Sequence, residues 1–353
     1  MNNMLRYSLI WIDDELHRPP PYFLSMPQHS HLRKIRQTAT GATVLAGVVA
    51  IATLCLAAFA WAADNKKVVG VTLLSLQYPF LIVLDDAMEA EAAKQGIDLL
   101  PFDPQQSVAT ELSQVEQLVA KKVDLIVMIP VDQKMSQAAA KLINEVGIPL
   151  VLLNTKFSDD FRSKGGKFLA YVGSDDNDAG KIEGQYLVDN LPEGGNVVYL
   201  VGEYGGGSTE RRKAGFESVL KDHPNLKIVS ELQGHGSGAK GKTIMKNLLQ
   251  KFGKEQLQAV VAQNDEMAIG ASSAIQAAGR LGEFKVLIGI DGSKPALDAV
   301  KAGTLTATVF QDAVGQGTGA MAVARKVLAG EMVEPQLVIP FKLVTKQNVS
   351  SFQ

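Results

Sequence analysis

The chain has 353 residues, 46% of them hydrophobic and 20% charged, with a formal net charge of −2. That length can bury two cores of ordinary size. The charge balance lacks the basic footprint that nucleic-acid binding requires, so no nucleic-acid partner is expected.

The N-terminal region stands apart from the rest. Ala42 to Ala60 is a nearly unbroken apolar run, preceded by His31, Arg33, Lys34 and Arg36 and closed by Ala60-Trp61-Ala62. A basic segment, an apolar segment and an A-x-A site make a secretory signal, with cleavage expected after Ala62. An uncleaved anchor helix is the alternative, since a run of about 20 residues just spans a bilayer. Residues 1–25 fit no signal: Asp13-Asp14-Glu15 is acidic and Pro19-Pro20-Pro21 is stiff. Met26 directly precedes the basic segment and is the expected start, which makes 1–62 a spurious extension plus signal peptide. The remaining chain carries 30 basic and 34 acidic residues, a net −4, and loses Cys55, the one cysteine. Disulfides, Cys-bound metals and a Cys nucleophile are then excluded. Ala52-Thr53-Leu54 before Cys55 does not resemble a lipid-attachment box.

From Lys67 onward, short β-branched runs alternate with helical patterns. Val68 to Thr72 reads as a strand and Pro79 to Gln95 as a helix, with proline in its first turn and Gly96 at its end. Strands follow at Ile97 to Pro101, Asp124 to Val127 and Ile148 to Leu153, with helices at Ser107 to Lys121 and Asp132 to Val146. A polar stretch, Lys156 to Gly166, interrupts the pattern. It resumes with strands at Phe168 to Val172, Asn196 to Val201, Leu226 to Leu232, Ala259 to Ala262, Val286 to Ile290 and Leu305 to Phe310. Helices lie between them, at Asp176 to Asn190, Thr209 to Lys221, Lys240 to Lys251, Glu266 to Ala278 and Lys294 to Lys301, and a last one spans Val314 to Leu328. The strands are apolar without polar alternation, as parallel strands covered on both faces require. The expected fold is α/β, with two doubly wound parallel-sheet lobes in tandem.

Open parallel sheets bind ligands at the carboxyl ends of their strands. Tyr78 and Phe80 follow the first strand and Asn154-Thr155 the fourth. In the second half Asn264-Asp265, Asp291-Gly292 and Gln311 directly follow strands.

Several segments resemble the periplasmic ribose-type sugar-binding proteins that supply solutes to ATP-driven importers. They are Ala262 to Ala271 (AQNDEMAIGA), Gly289-Ile290-Asp291-Gly292, Pro79-Phe80, Arg212 to Phe216, and Ala307 to Gln311. Their order and spacing match from Val68 to about Lys346. The resemblance implies two Rossmann-like lobes joined by three crossovers near Ser174, Gln311 and Pro340. Lobe one would comprise 68–174 and 312–340, and lobe two 175–311 and 341–353. It also implies a periplasmic location, a small sugar or polyol as ligand, and an inner-membrane ABC permease with its ATPase as partner. A sensor module feeding a chemoreceptor is the alternative. Sugar-responsive repressors share the fold but carry a helix-turn-helix where this chain has a signal segment.

Positions matching the family's ligand contacts are Tyr78, Phe80, Asn154, Thr155, Arg212, Gly236, Asn264, Asp291 and Gln311. Vicinal hydroxyls suit planar, fork-shaped side chains, and aromatic rings cover C–H faces. Asp291 would accept from two hydroxyls, Arg212 would donate in a fork, and Asn264 and Gln311 would do both. A buried polar group left unpaired costs about 1–3 kcal/mol, so each missing hydroxyl should weaken binding roughly 10–100-fold. Plainer readings exist beside these. Asp291-Gly292 can be a turn, Asn264-Asp265 an N-cap, Arg212 beside Arg211 and Lys213 a solvated face, and Phe80 core. The chain also departs from the ribose-binding pattern. Asn154-Thr155 replaces Asp-Arg, Gly236 replaces an aromatic, and Tyr78 replaces a small amide. A ligand other than ribose is expected, with Tyr78 supplying the aromatic face.

Gly236 to Thr243 (GSGAKGKT) satisfies the phosphate-loop pattern and opens a helix after a strand. An exported protein meets no nucleotide, and the binding-protein resemblance already explains the segment, so Lys240, Lys242 and Lys246 read as solvated. The histidines after residue 62, His223 and His235, form no triad or metal spacing. The sequence therefore points to binding without turnover, and neither a metal nor a cofactor is expected.

Overall fold

A computed structural model describes residues 66–158 and 160–352. The expected signal segment and the cleavage expected after Ala62 lie outside the described residues. The chain runs β1 (Val68–Thr72), α1 (Pro79–Gln95), β2 (Asp98–Phe102), α2 (Val108–Ala120), β3 (Leu125–Met128), α3 (Gln137–Val146), β4 (Leu150–Leu153), α4 (Asp160–Ser163) and β5 (Ala170–Gly173). It continues with α5 (Asp176–Asn190), β6 (Gly195–Val201), α6 (Gly207–Leu220), β7 (Leu226–Gln233), α7 (Gly238–Lys251), β8 (Ala259–Ala262), α8 (Asp265–Ala277), β9 (Val286–Asp291), α9 (Lys294–Ala302) and β10 (Ala307–Phe310). It ends with α10 (Ala313–Leu328), β11 (Gln336–Val338) and β12 (Lys342–Thr345).

The strands form two sheets, ordered β11-β5-β4-β3-β1-β2 and β12-β10-β9-β8-β6-β7. Every pairing is parallel except that of β10 with β12. Each sheet reverses its winding once, between β1 and β3 in the first and between β6 and β8 in the second. These are the switch points at which a crevice opens beyond the strand ends. Apolar clusters cover both faces of both sheets, around Val71, Leu84 and Met321 and around Ile126, Ile143 and Phe161 in the first, and around Met245, Ile275 and Leu287 and around Tyr199, Phe216 and Ile290 in the second. The α/β, doubly wound, two-lobed architecture is as the sequence pattern implies. The chain passes from one sheet to the other after β5, after β10 and after β11. Among the described residues no helix is long and apolar enough to cross a membrane.

Local chemistry sets the helix ends that matter here. Ser107, Asp175, Ser237, Asn264 and Asp312 cap α2, α5, α7, α8 and α10, each side chain accepting a backbone N–H of the first turn. Helix α3 starts at Gln137 rather than Asp132. The Asp132 carboxylate accepts from the N–H groups of Lys134 and Met135, and Ser136 Oγ accepts from Asp132 N–H. These bonds hold residues 132–136 in a turn, competing with the helix. The sequence pattern also misses β11 and β12, short edge strands defined by their partners.

Candidate functional site

The carboxyl ends of both sheets face one cavity of about 470 Å³ between the lobes. Tyr78, Phe80, Asn154 and Thr155 line it from the first lobe, and Arg212, Asn264, Asp291 and Gln311 from the second. Contacts close the lobes around it. The Tyr78 ring lies over Gly236, Arg211 Nη2 donates to Phe157 O at 3.3 Å, and Gln133 Nε2 donates to Gly205 O at 3.5 Å.

Arg212 is positioned by backbone contact between α5 and α6. A Cβ on Gly180 would stand 1.9 Å from Arg212 O, and one on Gly215 would stand 2.0 Å from Asn177 O. Only glycine permits that approach, and it brings the start of α5 against the middle of α6. Arg212 Nε then donates to Asp176 Oδ1 at 2.9 Å, while its other nitrogens donate to Gln263 O and to Gln311 Oε1. Arg212 is 8% exposed, not a solvated face. Burial opposes its charge, but Asp176 and Asp291 outweigh that and hold its pKa above the ordinary value. Much of the fork expected to meet a guest is thus already bonded to protein.

Asp291 ends β9 with φ 123°, followed by Gly292 at φ 68°. A non-glycine residue in that region is strained, and such strain collects at binding sites. Its carboxylate is 12% exposed and lies 4.0 Å from Arg212 Nη2, beyond hydrogen-bond reach. Burial pushes its pKa well above the usual carboxylate range; Arg212 opposes this, and Asp265 and Glu266 add to it. Gln311 Oε1 serves Arg212, which leaves its amide nitrogen for the cavity. Asn264 both caps and lines. Its Oδ1 accepts from Met267 N–H, and its Nδ2 donates to Gly236 O and Glu266 Oε2. Asp265 turns away, accepting from Thr308 Oγ1 and Ser293 N–H.

In the first lobe Asn154 also has positive φ, at 60°, after β4. Its Nδ2 donates to Gln316 Oε1 at 3.0 Å, and Gln316 Nε2 donates to Ser174 Oγ at 3.0 Å. A cavity residue is thereby tied to the first crossover between lobes. Thr155 Oγ1 donates to Asn154 Oδ1 at 3.3 Å. Phe80 packs on the core of its lobe and also lines the cavity. The Tyr78 hydroxyl donates to Gln106 Oε1 at 3.1 Å, and burial, with Glu203, Glu266 and Asp291 nearby, pushes its pKa to about 12.

The Tyr78–Gly236 contact explains one departure noted in the sequence. A Cβ on Gly236, which has φ 64°, would lie 2.6 Å from Tyr78 Cε1. The ring from the first lobe occupies the place that a second-lobe side chain at position 236 would fill. Sequence reasoning missed Gln106, Asp132 and Glu203, which also line the cavity. They follow β2, β3 and β6, so the strand-end rule could have found them.

The phosphate-loop motif does not form a loop. Gly238 already begins α7, Gly241 packs against Met267 of α8, and Lys240, Lys242 and Thr243 lie exposed along the helix. No stretch of backbone is left to wrap a phosphate. Among the described residues no group of His, Cys, Asp and Glu is placed to hold a metal ion.

Comparison with known proteins agrees with this geometry. The family model described as a periplasmic binding protein domain matches residues 69–332. A Rhizobium meliloti protein named for rhizopine binding is 36% identical over 82% of this chain and 94% of its own length. The ribose import binding protein of Bacillus subtilis is 33% identical over 80% of this chain and 89% of its own. An ABC transporter solute-binding protein from Bacillus halodurans, solved with bound myo-inositol, superposes with a TM-score of 0.76 at 33% identity, covering 82% of this chain and 98% of that one. With its paired sheets, its interlobe cavity and these relatives, the chain belongs to the periplasmic binding protein family.

Proposed function

We propose that this protein captures a small sugar or polyol in the periplasm and delivers it to an ABC permease. The observation that carries the reading is the interlobe cavity, of a size for one small solute and lined from both lobes by groups that suit hydroxyls. Asp291 accepts, Gln311 and Asn154 supply amides, Thr155 supplies a hydroxyl, and Tyr78 and Phe80 offer faces for C–H groups. Relatives named for ribose and rhizopine, and a neighbour holding myo-inositol, support a polyhydroxylated guest. The apolar segment before Ala62 supports export.

The open form admits the guest, hydroxyls bridge the lobes, and the closed form is favoured by the difference in affinity between the two states. Closure buries the polar groups of site and guest together, so a guest lacking one hydroxyl leaves a partner unpaired. We read the site as binding without turnover, because its polar groups are fixed to one another rather than set against a nucleophile. Calorimetry against pentoses, hexoses and cyclic polyols tests this. The expected result is saturable one-to-one binding of at least one member, recovered chemically unchanged. Heat-free titrations across the panel, or a modified guest, would overturn it.

A further inference from the structure

This inference rests on the reading above, in which Asn154 meets a guest, and concerns residues that meet none. Gln316, Tyr171 and Ser174 are buried, at 0%, 2% and 3% exposed, and none of them lines the cavity. Ser174 begins the first crossover between lobes, and Gln316 lies near the start of α10, directly after the second. Two separate bridges join Asn154 to Ser174. One runs through the Gln316 amide, which accepts from Asn154 Nδ2 and donates to Ser174 Oγ, both at 3.0 Å. The other runs through the Tyr171 hydroxyl, which shares its one proton between Asn154 O and Ser174 O, each 2.8 Å away. The fit there is tight: a Cβ on Gly173 would stand 2.2 Å from that hydroxyl.

Asn154 needs such support. Its φ of 60° lies in the left-handed region, which a residue with a side chain keeps only where its surroundings hold it. The second lobe has a matching arrangement. Arg212 joins Asp176, just past the first crossover, to Gln311, at the second. Arg212 thus ties both crossovers to the second lobe's wall of the cavity. Gln316 ties both to the first lobe's wall, one through Ser174 and the other through its own helix. Rotation of the lobes is absorbed by those few crossover residues, so it cannot proceed without moving one of these ties. We propose that Gln316 is a positioning residue: it holds Asn154 to the guest and the first crossover to Asn154, so that contact with the guest biases the hinge.

Gln316→Met nearly keeps the volume and removes both bonds. With ribose and myo-inositol as calorimetric probes, it should weaken binding about tenfold. Added to Asn154→Ala it should weaken binding no further, because its effect runs through Asn154. A purely structural role would instead give losses that add. The chain after residue 62 has no cysteine, so spin labels on Ala138→Cys and Ala214→Cys, exposed in the first and second lobes, report the distance between them. Without any guest, Gln316→Met should broaden that distance distribution. Ser174→Ala removes only the crossover end of the bridge; it should broaden the distribution too, weaken binding about threefold, and serve if Gln316→Met fails to fold. Unchanged binding, additive losses or an unaltered distance distribution would overturn the assignment and leave the polyol reading standing. Failure of both probes and of the wider panel to bind the unaltered chain would overturn that reading, and the role of Gln316 at the hinge would then be decided by the distances alone.

Discussion

The two lobes share a strand order yet furnish the cavity differently. The second lobe presents a charged network that is wired without a guest, with Arg212 joined to Asp176, Gln263 and Gln311. The first presents shape, in the rings of Tyr78 and Phe80, and a pair of small polar groups, Asn154 and Thr155. Packing explains the contrast. Backbone contact between α5 and α6 leaves Arg212 one place to lie, whereas Tyr78 precedes a helix and reaches across the cleft to Gly236. On the proposed function, this contrast assigns affinity for polar guests mainly to the second lobe, and selection by size and face mainly to the first.

Substitutions in each lobe can break that division. Asp291→Ala should have the largest effect, weakening binding about 100-fold or more by removing the second lobe's unpaired acceptor. Its melting temperature at neutral pH should hold or rise, because a buried carboxylate without a partner costs stability. A stability loss as large as the binding loss would make Asp291 a structural residue instead.

The first lobe hides a carboxyl behind its wall. Glu111 Oε1 accepts from Val131 N–H, and Oε2 has no partner among the described residues. Burial raises its pKa from 4.5 to about 7, with Ser136 and Val131 opposing and Asp132 adding. Between those values the unfolded chain binds fewer protons than the folded one, so stability falls as pH rises from 4.5 through about 7. Glu111→Gln should flatten that slope and stabilise the protein by about 2 kcal/mol at pH 8. Asp85 and Asp265, raised by burial to about 6 and about 7, should retain part of it. Urea titrations at several pH values check the sign, and a slope unchanged by the substitution would contradict it.

Gly236→Ala tests the contact between the lobes. The added methyl meets the Tyr78 ring on a left-handed backbone, so binding should weaken about tenfold. The Gly236→Ala, Tyr78→Ala double variant should bind no worse than Tyr78→Ala alone. Fully additive losses would mean that the ring and Gly236 do not meet in the bound state. Tyr78→Phe should be mildest, about threefold, since it removes one partly buried bond to Gln106.

Much of the fold is legible in the sequence because the strands are apolar runs with two covered faces, as at Leu125–Met128 and Ala259–Ala262. What escapes depends on partners. Gln336–Val338 is exposed throughout and is a strand only because β5 accepts it. Asp132 reads as helical until its side chain captures two N–H groups. The strand-end rule points to Asn154, Asp291 and Gln311 from the sequence. It gives no sign that Arg212 would be held by Asp176, and the sequence offered capping and binding by Asn264 as alternatives where the structure joins them. Nor does the sequence reveal that Tyr78 and Gly236 are one feature, because their complementarity exists only once the lobes close.

A guest gripped from both sides is most directly tested by titrating one ligand into three proteins: the unaltered chain, Asn154→Ala from the first lobe and Asp291→Ala from the second. One-to-one binding that weakens in both variants, more in the second, is the predicted result. Binding that either variant leaves unchanged would contradict it.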